Sequence, residues 1–414
     1  MIASVVEPRG LPPAAFTILY FPGGLATGFV TVTLSYILAH HGVSIAAIAS
    51  LVSISLLPHA CRFLMGPLVD TSLSCVKWFL ICDAIIMAGM VAMALAPMSN
   101  GSMPFLDTAS LILGVAGCAA SSSITAAMAR TMPNEQRGAV AGWQQAGNLG
   151  GAGVGGGAGL WLAVHAGGAL SAAAILAGVC FLCAAPLLWM RVPRAFRHAE
   201  MQGRVAEVGL SLWTLLRSRR GVLVSLMVVM PAALGAASNL FAAVAADWRA
   251  SADLVAVVTG VCGGVVTILG CVAGGYLCDR APRRTVYILA SVACSLGEAA
   301  MALTPHTPVW FGAMILGNGF LLGIAWAAVS AVIFECLGTS GAATVASVLT
   351  SLACLPVVVM TAVVGRVQTT YGSTAMLLAE AIVAVVSIAA YAALDILWRP
   401  SPEFDAGAVV LVER

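Results

Sequence analysis

Apolar stretches of about 20 residues recur from Phe16 to Trp398 with only brief polar interruptions. At a helical rise of about 1.5 Å per residue, that length crosses a hydrocarbon core of about 30 Å. Hydropathy and helix-breaking residues predict twelve spans, at roughly 16–40, 44–65, 76–96, 106–131, 138–163, 168–190, 221–246, 252–276, 284–304, 308–335, 341–365 and 372–397. Ala96-Pro97 through Met103-Pro104 and Thr304-Pro305 through Thr307-Pro308 mark two of the turns. The first apolar run continues from Ala14 to about Ala39, too far for the short core of a secretory signal, and reads as a retained helix.

Composition narrows the picture. Of 414 residues, 61% are hydrophobic and 9% charged, against roughly 25% charged in a soluble domain. A water-soluble shell cannot be built from that supply. The predicted spans place Arg9, Arg62, Lys77, Arg130, Arg137, Arg191, Arg194, Arg197, Arg204, Arg217, Arg219, Arg220, Arg280, Arg283, Arg284, Arg399 and Arg414 on one side, and only Arg249 and Arg366 on the other. Lys and Arg accumulate in cytoplasmic loops, so both termini and the arginine-rich segment 191–220 are expected in the cytoplasm. That segment separates a six-helix bundle over 1–190 from another over 221–398, with a tail over 399–414. A surface helix at the membrane interface is expected in it rather than a folded domain. Arginine outnumbers lysine and alanine is abundant, a GC-rich signature that points to a bacterial cytoplasmic (inner) membrane. The twelve cysteines are scattered through apolar segments, and Cys180 and Cys183 fall within one span. They read as small core residues, not as disulfides or metal ligands. No cofactor or metal is expected. The expected partners are the lipid bilayer, a small-molecule substrate and protons, with no nucleic acid and the chain a monomer.

The two halves resemble each other at a nearly fixed offset. Pro22 matches Pro231, Gly66-Pro67-Leu68-Val69-Asp70 matches Gly275-Tyr276-Leu277-Cys278-Asp279, and Gly114-Val115-Ala116 with Ser121 matches Gly323-Ile324-Ala325 with Ser330, all 209 residues apart. Ala92 through Pro97 matches Ala300 through Pro305 at 208. Two six-helix halves, a basic central segment and a Gly-x-x-x-Asp element after spans 2 and 8 resemble the major facilitator superfamily. The element from Gly275 through Asp279, Arg280, Arg283 and Arg284 is similar to that family's cytoplasmic gate motif, in which an aspartate and basic residues latch the closed state. Its first copy, Gly66 to Asp70, is followed by Thr71-Ser72-Leu73-Ser74 rather than by arginines. Leu19 through Leu25 and Phe63 through Asp70 are similar to the branch holding AmpG-type muropeptide permeases and acetyl-CoA transporters. The resemblance implies an all-α membrane protein of two pseudo-symmetric six-helix bundles, rocking around a midplane site lined by spans 1, 4, 7 and 10.

Span 5 carries Gly147, Gly150, Gly151, Gly153, Gly155, Gly156, Gly157 and Gly159. In lipid such a helix packs closely on a neighbour, here expected to be the glycine-rich span 8. The alternative reading, a gating role, comes from the superfamily's glycine-rich antiporter motif, whose proline is missing. No strand precedes these glycines, so they form no dinucleotide loop.

Acidic groups within the bilayer must be paired, hydrated or protonated, because a charge at a helix centre costs roughly 2.5–3.5 kcal/mol on insertion scales. Glu298 lies deep in span 9 and Glu380 deep in span 12. Asp83, six residues past Lys77, is close enough to the cytoplasmic end to reach a partner there. A carboxyl group removed from water can load and release a proton as access alternates. Proton coupling therefore competes with a merely hydrogen-bonded role for all three, and Glu298 is the first choice. Tyr20, Tyr36, Asn239, Asn318 and Trp326, with Gln144, Gln145 and Asn148 of span 5, offer uncharged hydrogen bonds and aromatic faces to a substrate, or bind neighbouring helices instead. Arg62 and Arg130 read as snorkelling residues, and His40, His41 and His59 as structural.

Other classes fare worse. An intramembrane metalloprotease needs H-E-x-x-H, an aspartyl protease needs paired intramembrane aspartates, and an ATP-driven pump needs a phosphate-binding loop; none is present. A sensor that keeps a carrier fold would bring a signalling domain. The reading is a secondary transporter of a small organic solute, not an enzyme.

Overall fold

A computed structural model describes residues 12, 15–65, 68–69, 73–131, 137–189, 213, 217, 219–230, 234–335 and 342–397. Every regular element among them is helical. In chain order they are α1 (Ala15–His40), α2 (Ile45–Ala60), α3 (Cys75–Leu95), α4 (Met103–Thr131), α5 (137–165), α6 (Ala169–Leu188), α7 (219–248, interrupted after Val229), α8 (252–280), α9 (Arg283–Leu303), α10 (Pro308–Glu335), α11 (342–371) and α12 (373–397). The linker 191–220 is almost wholly outside the described residues, and the tail 399–414 entirely so.

Eight stretches of the described residues are long and apolar enough to cross a bilayer. Helix α2 is shorter, at 16 residues, and passes into a single turn over Arg62–Leu64. The run from Ala342 to Leu397 is 56 residues, about 84 Å at helical rise, far beyond one membrane thickness. Gly372, with φ 85° and ψ 175°, breaks it into α11 and α12 in a conformation that only glycine adopts freely. Serines cap several starts. The hydroxyls of Ser44, Ser74 and Ser251 accept from the backbone N–H of Ala47, Lys77 and Leu254, each at 3.3 Å, satisfying one of the amides a helix leaves orphaned.

The glycines of α5 decide its neighbours. A Cβ on Gly147, Gly151 or Gly155 would lie 2.3, 2.4 or 2.1 Å from the carbonyl oxygen of Thr17, Phe21 or Leu25. Both helices advance by four residues, so one continuous stripe of α5 lies against the backbone of α1, a contact that hydropathy does not foretell. Gly150 is off that stripe, its nearest neighbour Phe21 Cε2 at 3.7 Å. The expected contact with α8 is also present, through other glycines. A Cβ on Gly157 would come within 2.4 Å of Ala256 O and 2.5 Å of Gly260 Cα. On the other flank, a Cβ on Gly365 of α11 would meet Ala49 Cβ of α2 at 2.0 Å.

One apolar core, with Phe16, Leu25, Phe29, Ile48, Phe79 and Ile86 fully buried, is built almost entirely from α1 to α6. A second, around Val224, Cys294, Ala328 and Leu349, lies within α7 to α12. A third joins the halves, bringing Ala49 and Leu160 together with Trp248, Phe311 and Val364.

Candidate functional site

Where the halves meet, a cavity of about 180 Å³ opens between α1, α5, α7, α8 and α10. Among the described residues its polar lining is Thr31, Ser238, Asn239, Thr259, Thr267 and Asn318, with Phe241 as the sole aromatic ring and no charged residue. Such a lining can orient an uncharged hydrogen-bonding molecule by a few amides and hydroxyls.

Asn318 ties this cavity to two buried acids. Its Nδ2 donates to Glu298 Oε1 at 3.5 Å, and the carboxyl groups of Glu298 and Glu380 adjoin. Glu298 is 1% exposed and Glu380 0%. Glu298 Oε2 has no hydrogen-bond partner among the described residues, and no described arginine or lysine pairs with either acid.

Glu380 is held from a third direction by the interruption in α7. Gly235 has φ 82°, and the chain resumes as short turns from Ala237. A helix that breaks inside lipid leaves N–H groups without carbonyl partners, each costly to bury unsatisfied. Glu380 takes two of them: Ala236 N donates to Oε1 at 2.8 Å, and Ala237 N donates to Oε2. Thr361 of α11 braces the same segment, accepting from Asn239 Nδ2 at 3.2 Å while its hydroxyl lies 2.8 Å from Val357 O and 3.5 Å from Ala236 O. Asn239, Thr361, Ala236, Glu380, Glu298 and Asn318 thus form one chain of polar contacts that leaves the cavity and returns to it.

Of the residues singled out from sequence, Asn239 and Asn318 line the cavity, while Glu298 and Glu380 lie behind it. Tyr20 is turned into its own half: 3% exposed, it meets Thr125 Oγ1 at 2.6 Å and Ser121 O at 3.3 Å. Tyr36 stacks on His40 at 5.0 Å, and Trp326 packs on the α7–α12 core. Asn148 lines a separate, very small pocket with His59 and Ser55. The side chains of Gln144, Gln145 and Asp279, and all of Gly66, Asp70 and Pro231, lie outside the described residues. In the second gate element a Cβ on Gly275 would meet nothing within 4 Å. Arg280 Cζ sits 3.4 Å from the centre of the Tyr276 ring, Arg283 Nη1 donates to Ala331 O at 3.5 Å, and Arg284 is exposed. Asp83 does not reach Lys77. It is 2% exposed, leaves Oδ1 without a partner and lies beside Cys180 and Cys183 of α6, while Lys77 faces outward. Nothing in the sequence singles out Ser238, Thr259, Thr267 or Thr361, because a hydroxyl in an apolar run ordinarily bonds its own helix. Thr267 does so, to Gly263 O at 2.8 Å.

The sequence matches the family model of the Major Facilitator Superfamily over residues 16–361. The chain belongs to that superfamily. It is a multi-pass secondary transporter of a small solute and not an enzyme. The fold is similar to that of a point mutant of the nucleoside transporter NupG, with TM-score 0.71 and 17% identity over 92% of this chain and 99% of that one. It is also similar to the xylose transporter XylE from E. coli in a partially occluded inward open conformation, with TM-score 0.70 and 13% identity over 94% and 98%. A structure of a D-xylose-proton symporter gives TM-score 0.66 and 15% identity over 91% and 96%. No curated protein sequence matches this transporter.

Proposed function

We propose that this transporter is a proton-coupled, alternating-access carrier of a small uncharged organic solute, with Glu298 as its proton-carrying group. The observation that carries the reading is the position of Asn318, one amide that faces the solute cavity and touches Glu298. Two adjoining carboxyl groups cannot both be charged cheaply: like charges about 4 Å apart repel by roughly 4 kcal/mol at an effective dielectric of about 20. The pair therefore carries at most one negative charge and has one proton to exchange. A solute that competes for the Asn318 amide changes what solvates that charge, and so links cavity occupancy to proton uptake.

An apolar cavity of about 150 Å³ admits benzene, so about 180 Å³ suits a solute of similar or slightly larger size. The uncharged polar lining favours hydroxyl, carbonyl or amide groups. The similarity of Leu19 through Leu25 and Phe63 through Asp70 to the AmpG branch supports kinship of scaffold there, while a muropeptide is much larger than the cavity. We further propose twelve crossings in halves 1–190 and 221–398, with both termini and 191–220 in the cytoplasm of a bacterial cell, the chain acting as a monomer in the inner membrane.

Uptake of labelled xylose, a nucleoside and other neutral solutes into proteoliposomes, with and without an imposed pH gradient, tests this. One pH unit stores about 1.4 kcal/mol and supports up to about tenfold accumulation for one proton per solute. Wild type should accumulate solute under the gradient, and Glu298→Gln should exchange solute without accumulating it. A gradient that drives the variant as well as wild type removes Glu298 from the coupling step.

A further inference from the structure

We infer that Glu380 is a positioning residue: its carboxylate holds the interrupted segment 234–240 of α7 in place, and so fixes where Ser238 and Asn239 meet the cavity. When the Glu298–Glu380 pair takes up a second proton, Glu380 is neutralised and that hold loosens; release of the proton restores it. The inference rests on the carrier reading for its purpose, but on separate observations for its substance.

The two acids differ in what surrounds them. Glu380 accepts from the amides of Ala236 and Ala237 through different oxygens, an arrangement that solvates a carboxylate and leaves no place on those oxygens for a proton in the same directions. Glu298 has the Glu380 carboxyl group beside it, one long contact from an amide and one oxygen with no partner among the described residues. The charge of the pair belongs on Glu380 and the proton on Glu298. Among the described residues the titratable groups facing Glu380 are Glu298 and, one helical turn before it on α9, Cys294; α7 contributes backbone amides and α11 the Thr361 hydroxyl.

The consequence is mechanical. Gly235 permits the turn, and Ser238 Oγ donates to Gly235 O at 2.6 Å, but neither anchors the segment to the bundle. Glu380 and Thr361 do, from α12 and α11. If Glu380 takes a proton, it becomes a donor at one oxygen, one amide loses its acceptor, and the two cavity residues immediately after that amide are free to move. Proton state at a buried pair is thereby converted into the position of solute-binding groups within one turn of chain.

Hydrogen–deuterium exchange on the full-length protein in lipid nanodiscs reads this without any solute. After correction for intrinsic chemistry, the peptide covering 234–240 should exchange about tenfold faster in Glu380→Gln than in wild type, since one charge-assisted backbone bond is lost. It should stay slow in Glu298→Gln. In wild type its protection should fall as pH is lowered, and Glu298→Gln should displace that profile. Equal exchange in Glu380→Gln and wild type overturns the anchoring role, and a flat pH profile overturns the link to the proton. Should Glu380→Gln fail to fold, Glu380→Asp retains the charge but withdraws it by one methylene; it must accelerate the same peptide, and unchanged exchange there is equally fatal. Because transport is not measured, a failed liposome assay and a failed exchange experiment are distinguishable.

Discussion

Three acids buried in one membrane protein would look equivalent from their side chains alone, yet their surroundings assign them different work. Asp83 touches no part of the cavity and leaves Oδ1 unpartnered beside the thiols of α6. A buried polar group left without a partner costs about 1–3 kcal/mol, which an apolar residue of similar volume does not incur. Asp83→Leu should therefore raise the melting temperature of the purified protein and leave gradient-driven transport intact; loss of accumulation would make Asp83 a coupling residue after all. The glycines of α5 separate in the same way. Gly155→Ala puts a methyl group against Leu25 O, a backbone atom that cannot yield without parting two helices, and overpacking of this kind costs about 1–3 kcal/mol. Gly150→Ala meets only a ring atom at 3.7 Å and gains up to about 1 kcal/mol of helix propensity. Thermal unfolding should move in opposite directions for the two, and equal shifts would mean that the α1–α5 stripe is not the tight contact described. The depth of Glu298 and Glu380 was legible from the sequence, because an acid in an apolar run is conspicuous. Their contact was not, since 82 residues and two helix-packing events separate them, and nothing in hydropathy encodes which faces meet.

At the scale of elements, the sequence marks helices by apolar length and their ends by serine, proline and glycine, and those signals carry through to α3, α4, α9 and α10 with boundaries close to expectation. The interruption of α7 was less visible. Met230 to Leu240 holds Pro231, which interrupts helical hydrogen bonding and marks a kink, but the decisive fact, a left-handed Gly235 whose following amides find a carboxylate on α12, is tertiary. The interruption and the α11–α12 turn both rest on a glycine of positive φ, at 82° and 85°, so alanine at either costs about 1–3 kcal/mol in backbone strain. Their consequences should diverge. A Cβ at Gly372 meets nothing within 4 Å, whereas one at Gly235 comes 3.2 Å from Leu322 Cδ1, a cavity-lining side chain. Gly372→Ala should lower the unfolding temperature and leave the apparent affinity for solute unchanged. Gly235→Ala should lower both. If the two variants transport alike, α7's interruption does not position the solute.

The internal repeat has a consequence for the whole molecule. An offset of about 209 residues relates α2 to α8 and α5 to α11, so the α2–α11 and α5–α8 contacts are images of one another. Gly157 and Gly365, the residues of closest approach in those two contacts, are themselves 208 residues apart. Around them, at the end of the bundle away from Arg280 and Arg283, lie further ties between halves: Ala46 N donates to Thr369 Oγ1 at 3.0 Å, and His165 Nε2 is 3.6 Å from Asp253 Oδ1. That ion pair is 41% exposed at His165 and 61% at Asp253 and contributes little alone. The glycine contacts dominate, because at Gly157 backbone meets backbone and at Gly365 the short, rigid Ala49 methyl lies against the helix. A carrier needs such contacts to be bistable, tight in one state and parted in the other. Gly157→Ala penalises only the closed arrangement of this end. A penalty of about 1–3 kcal/mol on one of two states shifts their ratio by roughly 5- to 150-fold. In a Ser238→Cys background, alkylation of that cavity-lining position by a membrane-impermeant maleimide, supplied from the side of His165 and Asp253, should accelerate within that range when Gly157→Ala is added. Gly365→Ala should act in the same direction, as its counterpart in the repeat. Unchanged labelling in both would show that this end does not open by parting α5 from α8 and α2 from α11, and would leave the cavity without its proposed route to that side of the membrane.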